Sequence, residues 1–176
     1  MDITGKDDAV IMEQKKTERI NRILTHPSYI EYVSQNAEKE QDRVFCYHDM
    51  GHFLDVARLA EILNLTEAYG QDAELIYAAA LLHDIGRHIQ YETGEDHALV
   101  SARMAPAILK DCGFMQEETE QIVSAIATHR LAEVRDRKDL NGLLYRADKL
   151  SRPCYCCKQE SACNWKGDKK NRQLIW

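Results

Sequence analysis

An all-α fold is what this chain predicts, and three observations carry the prediction. The strongly periodic segments repeat their apolar residues at three- and four-residue steps. No stretch alternates as a half-buried strand does, and no Asn-Gly or Asp-Gly hairpin joins two apolar runs. Turn signals at His26-Pro27-Ser28, Tyr69-Gly70-Gln71-Asp72, Thr93-Gly94-Glu95-Asp96 and Cys112-Gly113 separate the periodic segments.

The spacing predicts helices over 7–24, 28–36, 48–64, 72–85, 95–110, 116–129 and 139–151. The first begins within the first sixteen residues, a charge-rich stretch that is expected to fray, and it ends before His26, a turn residue preceding Pro27. In 48–64, His52, Val56, Leu59, Ala60 and Leu63 form one stripe, which His48 extends by a turn. In 72–85, Leu75, Ile76, Ala79, Ala80 and His83 share a face, with Asp84 beside it just before the helix-ending Gly86. His97 joins Val100, Met104 and Ile108 in 95–110, a segment that Pro106 should kink or divide. His129 follows Ile122, Ala125 and Ile126, and Asp148 follows Leu140 and Leu144. From Arg152 the composition turns to cysteine, lysine and polar residues, so a helical bundle over 1–151 with core motifs in 47–151 is expected to carry an appendage over 152–176.

The bulk properties narrow the function. A chain of 176 residues is long enough to bury one core, and one domain is expected. A net charge of −6 argues against a general nucleic-acid surface, although a bound cation can still attract a small phosphate compound. No run of eighteen apolar residues and no signal-peptide core is found, so a cytoplasmic protein off the membrane is expected. Four of the six cysteines crowd into Cys154, Cys156, Cys157 and Cys163, which suits reduced thiols better than a disulfide framework.

Five helices thus aim His52, His83 with Asp84, His97, His129 and Asp148 at a common interior. A lone histidine on an apolar stripe is more often a hydrogen-bonded core residue than a ligand. Six such groups left unpaired would each cost about 2–7 kcal/mol of desolvation, which favours a shared partner. Four imidazoles and two carboxylates suffice for one or two divalent cations, with Asp84 placed to bridge a pair. Mixed nitrogen and oxygen ligands suit iron, manganese or zinc and suit magnesium or calcium poorly.

These residues, in this order, resemble the HD superfamily of metal-dependent phosphohydrolases, whose signature is an early His, a His-Asp dipeptide and a late Asp on an all-helical bundle. The similarity runs from about Tyr47 to Ser151. It implies that His52, His83, Asp84 and Asp148 hold a first metal. The run Tyr47-His48-Asp49-Met50-Gly51-His52-Phe53-Leu54-Asp55-Val56 is similar to the Tyr-His-Asn-x-x-His-x-x-Asp-Val segment of cyclic-nucleotide phosphodiesterases, with Asp49 in place of Asn. By that likeness His52 is the ligand and His48 donates a proton to the leaving oxygen; the alternative for His48 is to orient a ligand. His52 to Ala57 also matches the His-x-Leu-x-Val-Ala pattern of bacterial members. The segments 97–102 and 122–129 resemble the two second-metal histidine segments of bacterial HD hydrolases that split diadenosine tetraphosphate. Other phosphodiesterase landmarks are missing, and the region after Arg152 has no counterpart in those enzymes.

The resemblance implies hydrolysis of a P–O bond in a nucleotide or small phosphate ester by metal-activated water, with Arg87 either reaching a nonbridging phosphate oxygen or standing as a surface charge. Two other classes stay open: a di-iron oxygenase of the myo-inositol oxygenase type, and a non-enzymatic sensing or scaffold module. Cys154, Cys156, Cys157 and Cys163 are enough in number for a zinc ion or an iron–sulfur cluster, but paired Cys-x-x-Cys knuckles are absent. Thiols lining the bundle or the substrate pocket, and redox chemistry, are the alternatives. Cys46 and Cys112 read as small buried hydrophobes, His88 as a loop residue near the site, and 166–172 as a solvated tail whose charge can guide an anion. The sequence fixes neither the oligomeric state nor the substrate.

Overall fold

The computed structural model describes residues 17–174, and among them all regular structure is helical. A helix over 17–25 (α1) is followed by Pro27–Lys39 (α2), Met50–Thr66 (α3), Ala73–Leu82 (α4), Arg87–Thr93 (α5), His97–Asp111 (α6), Gln116–Thr128 (α7) and Leu140–Leu150 (α8). The predicted helix start at residue 7 and the fraying of the first sixteen residues lie outside the described residues. No described helix is long and apolar enough to cross a membrane.

Aspartates set several of the boundaries. Asp49, Asp72, Asp96 and Asp139 are the N-caps of α3, α4, α6 and α8, each accepting a backbone N–H from the first turn. Asp49 Oδ1 takes the His52 N–H at 3.0 Å. That cap corrects the predicted start at 48: His48 lies before α3, in the connection from α2, and is not on the helix.

Helix α4 lies at the centre against α3, α6, α7 and α8. Ala78 to Leu82 are fully buried, as expected for a helix that is apolar all round. The predicted helix 72–85 breaks earlier, at Leu82, and residues 83–86 form a turn into α5, where the sequence predicts no helix. At the end of that turn Gly86 is where α6 comes closest. A Cβ on it would stand 2.6 Å from Val100 Cγ1 and 2.8 Å from the Ser101 nitrogen, so only glycine lets α6 approach. The Gly86 N–H donates to Ser101 Oγ at 2.9 Å across that contact. Gly86→Ala is expected to lower stability by about 1–3 kcal/mol through overpacking. An unchanged urea midpoint would show that α6 yields without cost.

Pro106 does not divide α6, which runs unbroken from His97 to Asp111. Burial of Ala98, Val100, Ser101, Ala102, Ala105, Ile108 and Leu109 along it offsets the roughly 3 kcal/mol that an interior proline costs.

After α8 the chain forms only short 3-10 turns, at Cys154–Cys156, Glu160–Ala162 and Gly167–Lys169. Asn171 Nδ2 ties this appendage to the end of α8, donating to the carbonyls of Lys149, Leu150 and Arg152 at 2.9, 3.0 and 2.9 Å. Lys170 Nζ meets Glu160 Oε1 at 2.9 Å. These two residues of the predicted solvated tail are therefore engaged in holding the appendage.

Candidate metal centre

Five elements deliver the polar groups to one buried place. His83 ends α4, Asp84 stands in the turn between α4 and α5, His97 opens α6, His129 ends α7, and His52 and Asp148 come from α3 and α8. Asp84 is 1% exposed, His83 0%, His97 1% and His129 1%. The ligating atoms of His52, His83 and Asp84 lie within 4.8 Å of one another, and so do those of Asp84, His97 and His129. Asp84 thus belongs to both groups. Its Oδ2 is 3.4 Å from His83 Nε2 and 3.8 Å from His52 Nε2, while its Oδ1 is 3.0 Å from His97 Nε2 and 3.7 Å from His129 Nε2. Asp148 Oδ1 joins the first group at 3.5 Å from His52 Nε2 and 4.0 Å from His83 Nε2.

The rings are held by their far nitrogens. His83 Nδ1 is 2.7 Å from the Ala80 carbonyl and His129 Nδ1 is 2.7 Å from the Ile126 carbonyl. A carbonyl only accepts, so in each ring Nδ1 carries the proton and a neutral ring turns its Nε2 lone pair inward. His52 Nδ1 lies 3.4 Å from Ser151 Oγ, and His97 Nδ1 lies 2.8 Å from Gln90 Oε1. The Nε2 atoms of His52 and His83 stand 3.3 Å apart, as do those of His97 and His129. Two lone pairs that converge at that distance suit a cation between them.

The electrostatics favour the neutral state in three of the rings, those of His52, His97 and His129. Burial, reinforced by the charge of His83, lowers the pKa of His52 to about 4 and that of His129 to about 3, and burial lowers His97 too. Burial would lower His83 as well, but the charge of Asp84 and a bond to it raise it instead. Against the effect of burial, Arg87, His83 and His48 hold Asp84 well below the usual carboxylate range, and Lys149, Arg152, His83 and His52 do the same for Asp148.

These shifts predict how the metal-free protein responds to acid. Below about pH 6.5 the unfolded chain protonates histidines that His52 and His129 resist down to about 4 and 3, so protons favour unfolding. His83, whose pKa is raised, takes up protons on folding and so opposes this slope, which His52 and His129 together carry. With a chelator present, the urea midpoint should be lower at pH 5 than at pH 7; equal midpoints would contradict the buried neutral rings.

A metal fits the residues present. Asp84 Oδ1 is buried without a hydrogen-bond partner, because Arg87 Nε, 3.2 Å away, is not aimed at it and is itself unpartnered. An orphaned carboxylate oxygen among imidazole Nε2 atoms is the donor set of a transition-metal ion.

The other predicted residues divide. Arg87 opens α5 and turns onto Asp84, with Nη2 3.4 Å from Oδ2, and its Nη1 donates to Gln90 Oε1 at 3.2 Å. His88, read as a loop residue, is buried in α5, where Asn36 Oδ1 accepts its backbone N–H at 2.7 Å; its ring stacks on Tyr32 and stays outside the ligand cluster. Cys112 is buried as expected, but Cys46 is exposed in the connection between α2 and α3, so its reading as a buried hydrophobe is corrected. Cys154, Cys156, Cys157 and Cys163 lie in the appendage, away from the His/Asp cluster, as free thiols.

His48 is buried, with Nε2 3.7 Å from Asp84 Oδ2. Its Nδ1 lies 2.5 Å from Glu40 Oε1, and its backbone N–H donates to Glu40 Oε2 at 2.8 Å. Tyr91 donates its hydroxyl to the same Oε1 at 2.5 Å. Burial would raise the Glu40 carboxyl, but the His48 ring, the Tyr91 hydroxyl and the His48 N–H lower it to about 2. Neither Glu40 nor Tyr91 is predicted from the sequence, nor is Asn36, whose Nδ2 holds the Asp84 carbonyl at 2.9 Å. The signal for two of them exists: Tyr29, Val33, Asn36 and Glu40 follow three- and four-residue steps along α2, the test that finds the histidines.

Known proteins resemble this chain over much of its length. The HD domain profile matches residues 49–152. An uncharacterized protein of Clostridium beijerinckii is 44% identical over 161 residues, covering 90% of this chain and 99% of its own length. Ribonuclease Y of Rubrobacter xylanophilus is 34% identical over 80 residues, 46% of this chain, and ribonuclease Y of Enterococcus faecalis is 29% identical over 116 residues, 66% of this chain. The chain spans only 14% and 20% of those two ribonucleases. The crystal structure of a predicted HD superfamily hydrolase from an uncultured Thermotogales bacterium aligns with a TM-score of 0.57 at 28% identity, covering 80% of this chain and 79% of that one. The profile covers more than half of the chain, from the cap of α3 to the end of the bundle, and the chain belongs to the HD superfamily of metal-dependent phosphohydrolases.

Proposed function

We propose that the protein hydrolyses a P–O bond in a nucleotide or another small phosphate ester. His52, His83, Asp84 and Asp148 hold one divalent ion, and Asp84, His97 and His129 hold a second. The observation that carries this reading is Asp84, whose two oxygens face different pairs of imidazole nitrogens. A transition metal bound there supplies Lewis acidity, making water nucleophilic near neutral pH and offsetting charge on the phosphoryl oxygens.

The chain's own residues manage the leaving group and the geometry. Glu40 holds the His48 ring by Nδ1, so Nε2 faces the Asp84 side and can donate a proton to the departing oxygen. Glu40 stays ionised throughout the working range and so keeps its hold on Nδ1. Arg87 holds Asp84 and Gln90, and Gln90 in turn orients His97. Contact between Arg87 and a nonbridging phosphate oxygen requires the guanidinium to release one of those partners.

The ribonuclease Y relatives, by name, support a ribonucleotide as the substrate class. A net charge of −6 favours a small nucleotide over a long polyanion. The test is anaerobic purification, metal quantification per chain, and phosphate or nucleotide release assayed over a panel of nucleotides and dinucleotides with iron, manganese or zinc. Two divalent ions and release from at least one compound are expected. Bound metal with no release from any compound would overturn the hydrolytic reading, and oxygen consumption with an organic substrate would replace it by the oxygenase.

A further inference from the structure

Among the described residues three cations stand against the carboxylates of the His/Asp centre, and two of them are engaged. Arg87 holds Asp84 and Gln90. Lys149 Nζ meets Asp148 Oδ2 at 2.5 Å and reaches the His129 carbonyl at 3.5 Å. Arg152 differs from both. Its Nη2 is 3.8 Å from Asp148 Oδ2, too far for a hydrogen bond, and among the described residues no group accepts one from its guanidinium.

That guanidinium is nevertheless held in place. Its carbon lies 3.5 Å from the centre of the Trp165 ring, a stacking contact that fixes the plane of the fork and leaves the N–H donors free at its edge. Asn171 Nδ2 holds the Arg152 carbonyl at 2.9 Å, so the appendage anchors both the backbone and the side chain of this residue. The side chain is 15% exposed. Donors that are fixed and largely shielded from water, yet unused, call for an acceptor from outside the chain.

The open side of the centre is where Arg152 stands. His52 is 12% exposed, whereas His83, His97 and His129 are at most 2%. Next to His52 comes Ser151, whose Oγ is 3.4 Å from the His52 Nδ1, and Arg152 follows in the chain. Charge points the same way. Asp84 and Asp148 together face Arg87, Lys149 and Arg152, so positive charge exceeds negative before a divalent ion adds to it, and an anion offsets the excess.

We propose that Arg152 is the residue that receives the phosphate of the substrate, its planar fork donating to two nonbridging oxygens, and that Trp165 is the positioning residue that holds the fork ready. Arg87 must release a partner to do this, and Arg152 need not. The kind of anion rests on the hydrolytic reading, while the uncommitted guanidinium is a property of the fold. The appendage then forms one wall of the site, with the fork at its start and the stacking ring thirteen residues on.

The test uses the full chain as purified, carrying Trp176→Phe so that Trp165 is the sole tryptophan. Inorganic phosphate added at constant ionic strength should shift the indole emission saturably, because the cation stacked on the ring takes a partner. Arg152→Gln should weaken phosphate binding in equilibrium dialysis, and raise KM, by roughly 10- to 100-fold with metal content unchanged, the scale of hydrogen bonds to a charged group. Trp165→Leu should weaken binding less, and Trp165→Phe, which keeps a stacking face, should restore it. An emission that ignores phosphate bound in dialysis overturns the proposal with Arg152 in place, which covers a variant that fails to fold. Affinity kept in Arg152→Gln and lost in Arg87→Gln would move the anion to Arg87, and loss of metal in Arg152→Gln would make Arg152 a support for Asp148; either result overturns the assignment. Phosphate held through Arg152 by a chain that releases nothing from any nucleotide ends the hydrolytic reading and keeps the anion site. Hydrolysis with an unchanged KM in Arg152→Gln does the reverse.

Discussion

Asp84→Ala is expected to empty both halves of the His/Asp centre and to lower hydrolysis by roughly 10³-fold or more, the scale set by loss of a single preorganised electrostatic group. Among the described residues no other belongs to both groups: Oδ1 stands 3.0 Å from His97 Nε2, and Oδ2 stands 3.4 Å from His83 Nε2. Its removal also strands Arg87, whose guanidinium is 17% exposed, and breaking a buried pair costs about 3–5 kcal/mol. Asp84→Asn is therefore the companion variant, since it keeps the volume and removes only the charge. His129→Ala touches one group and should leave the His52, His83 and Asp148 side occupied. Metal analysis of the three proteins separates the cases. Two ions per chain in Asp84→Ala would end the shared-carboxylate assignment, whatever the activity.

That carboxylate was legible in the sequence for a simple reason. His52, His83, His97, His129 and Asp148 each stand on an apolar stripe of their own helix, and a helical stripe points inward whatever its neighbours are. Local periodicity therefore found the groups that converge, although it set the start of α3 at 48, ahead of the Asp49 cap. Helix α5 escaped because its seven residues, Arg87 to Thr93, are too few and too polar to show a period. What periodicity cannot supply is contact between distant segments. Tyr91 reaches Glu40 from 51 residues away, and nothing in either neighbourhood announces the other.

His48→Ala is expected to keep its bound metal and lose turnover by roughly 10²–10⁴-fold, the usual worth of a positioned general acid. The geometry separates it from the ligands. Its Nδ1 is committed to Glu40 at 2.5 Å, and its Nε2 approaches only Asp84, at 3.7 Å, while the four other rings turn their Nε2 atoms to the shared interior. Glu40 keeps the Tyr91 hydroxyl when the imidazole is gone, so the variant does not leave that carboxylate wholly unpaired. Glu40→Gln sharpens the assignment, because it preserves shape and removes the negative charge that holds the ring by Nδ1. A positioning role predicts a fall in turnover with little change in KM or metal content, and a smaller fall in Tyr91→Phe, which removes one bond to the same oxygen. Loss of metal in His48→Ala would make the residue a ligand or a support for one. A donor is dispensable when the departing alcohol is acidic, so an ester with a nitrophenol leaving group should recover much of the lost rate in His48→Ala. Recovery with that ester and not with a nucleotide locates the defect in protonation of the leaving oxygen, and equal losses with both would remove His48 from that step.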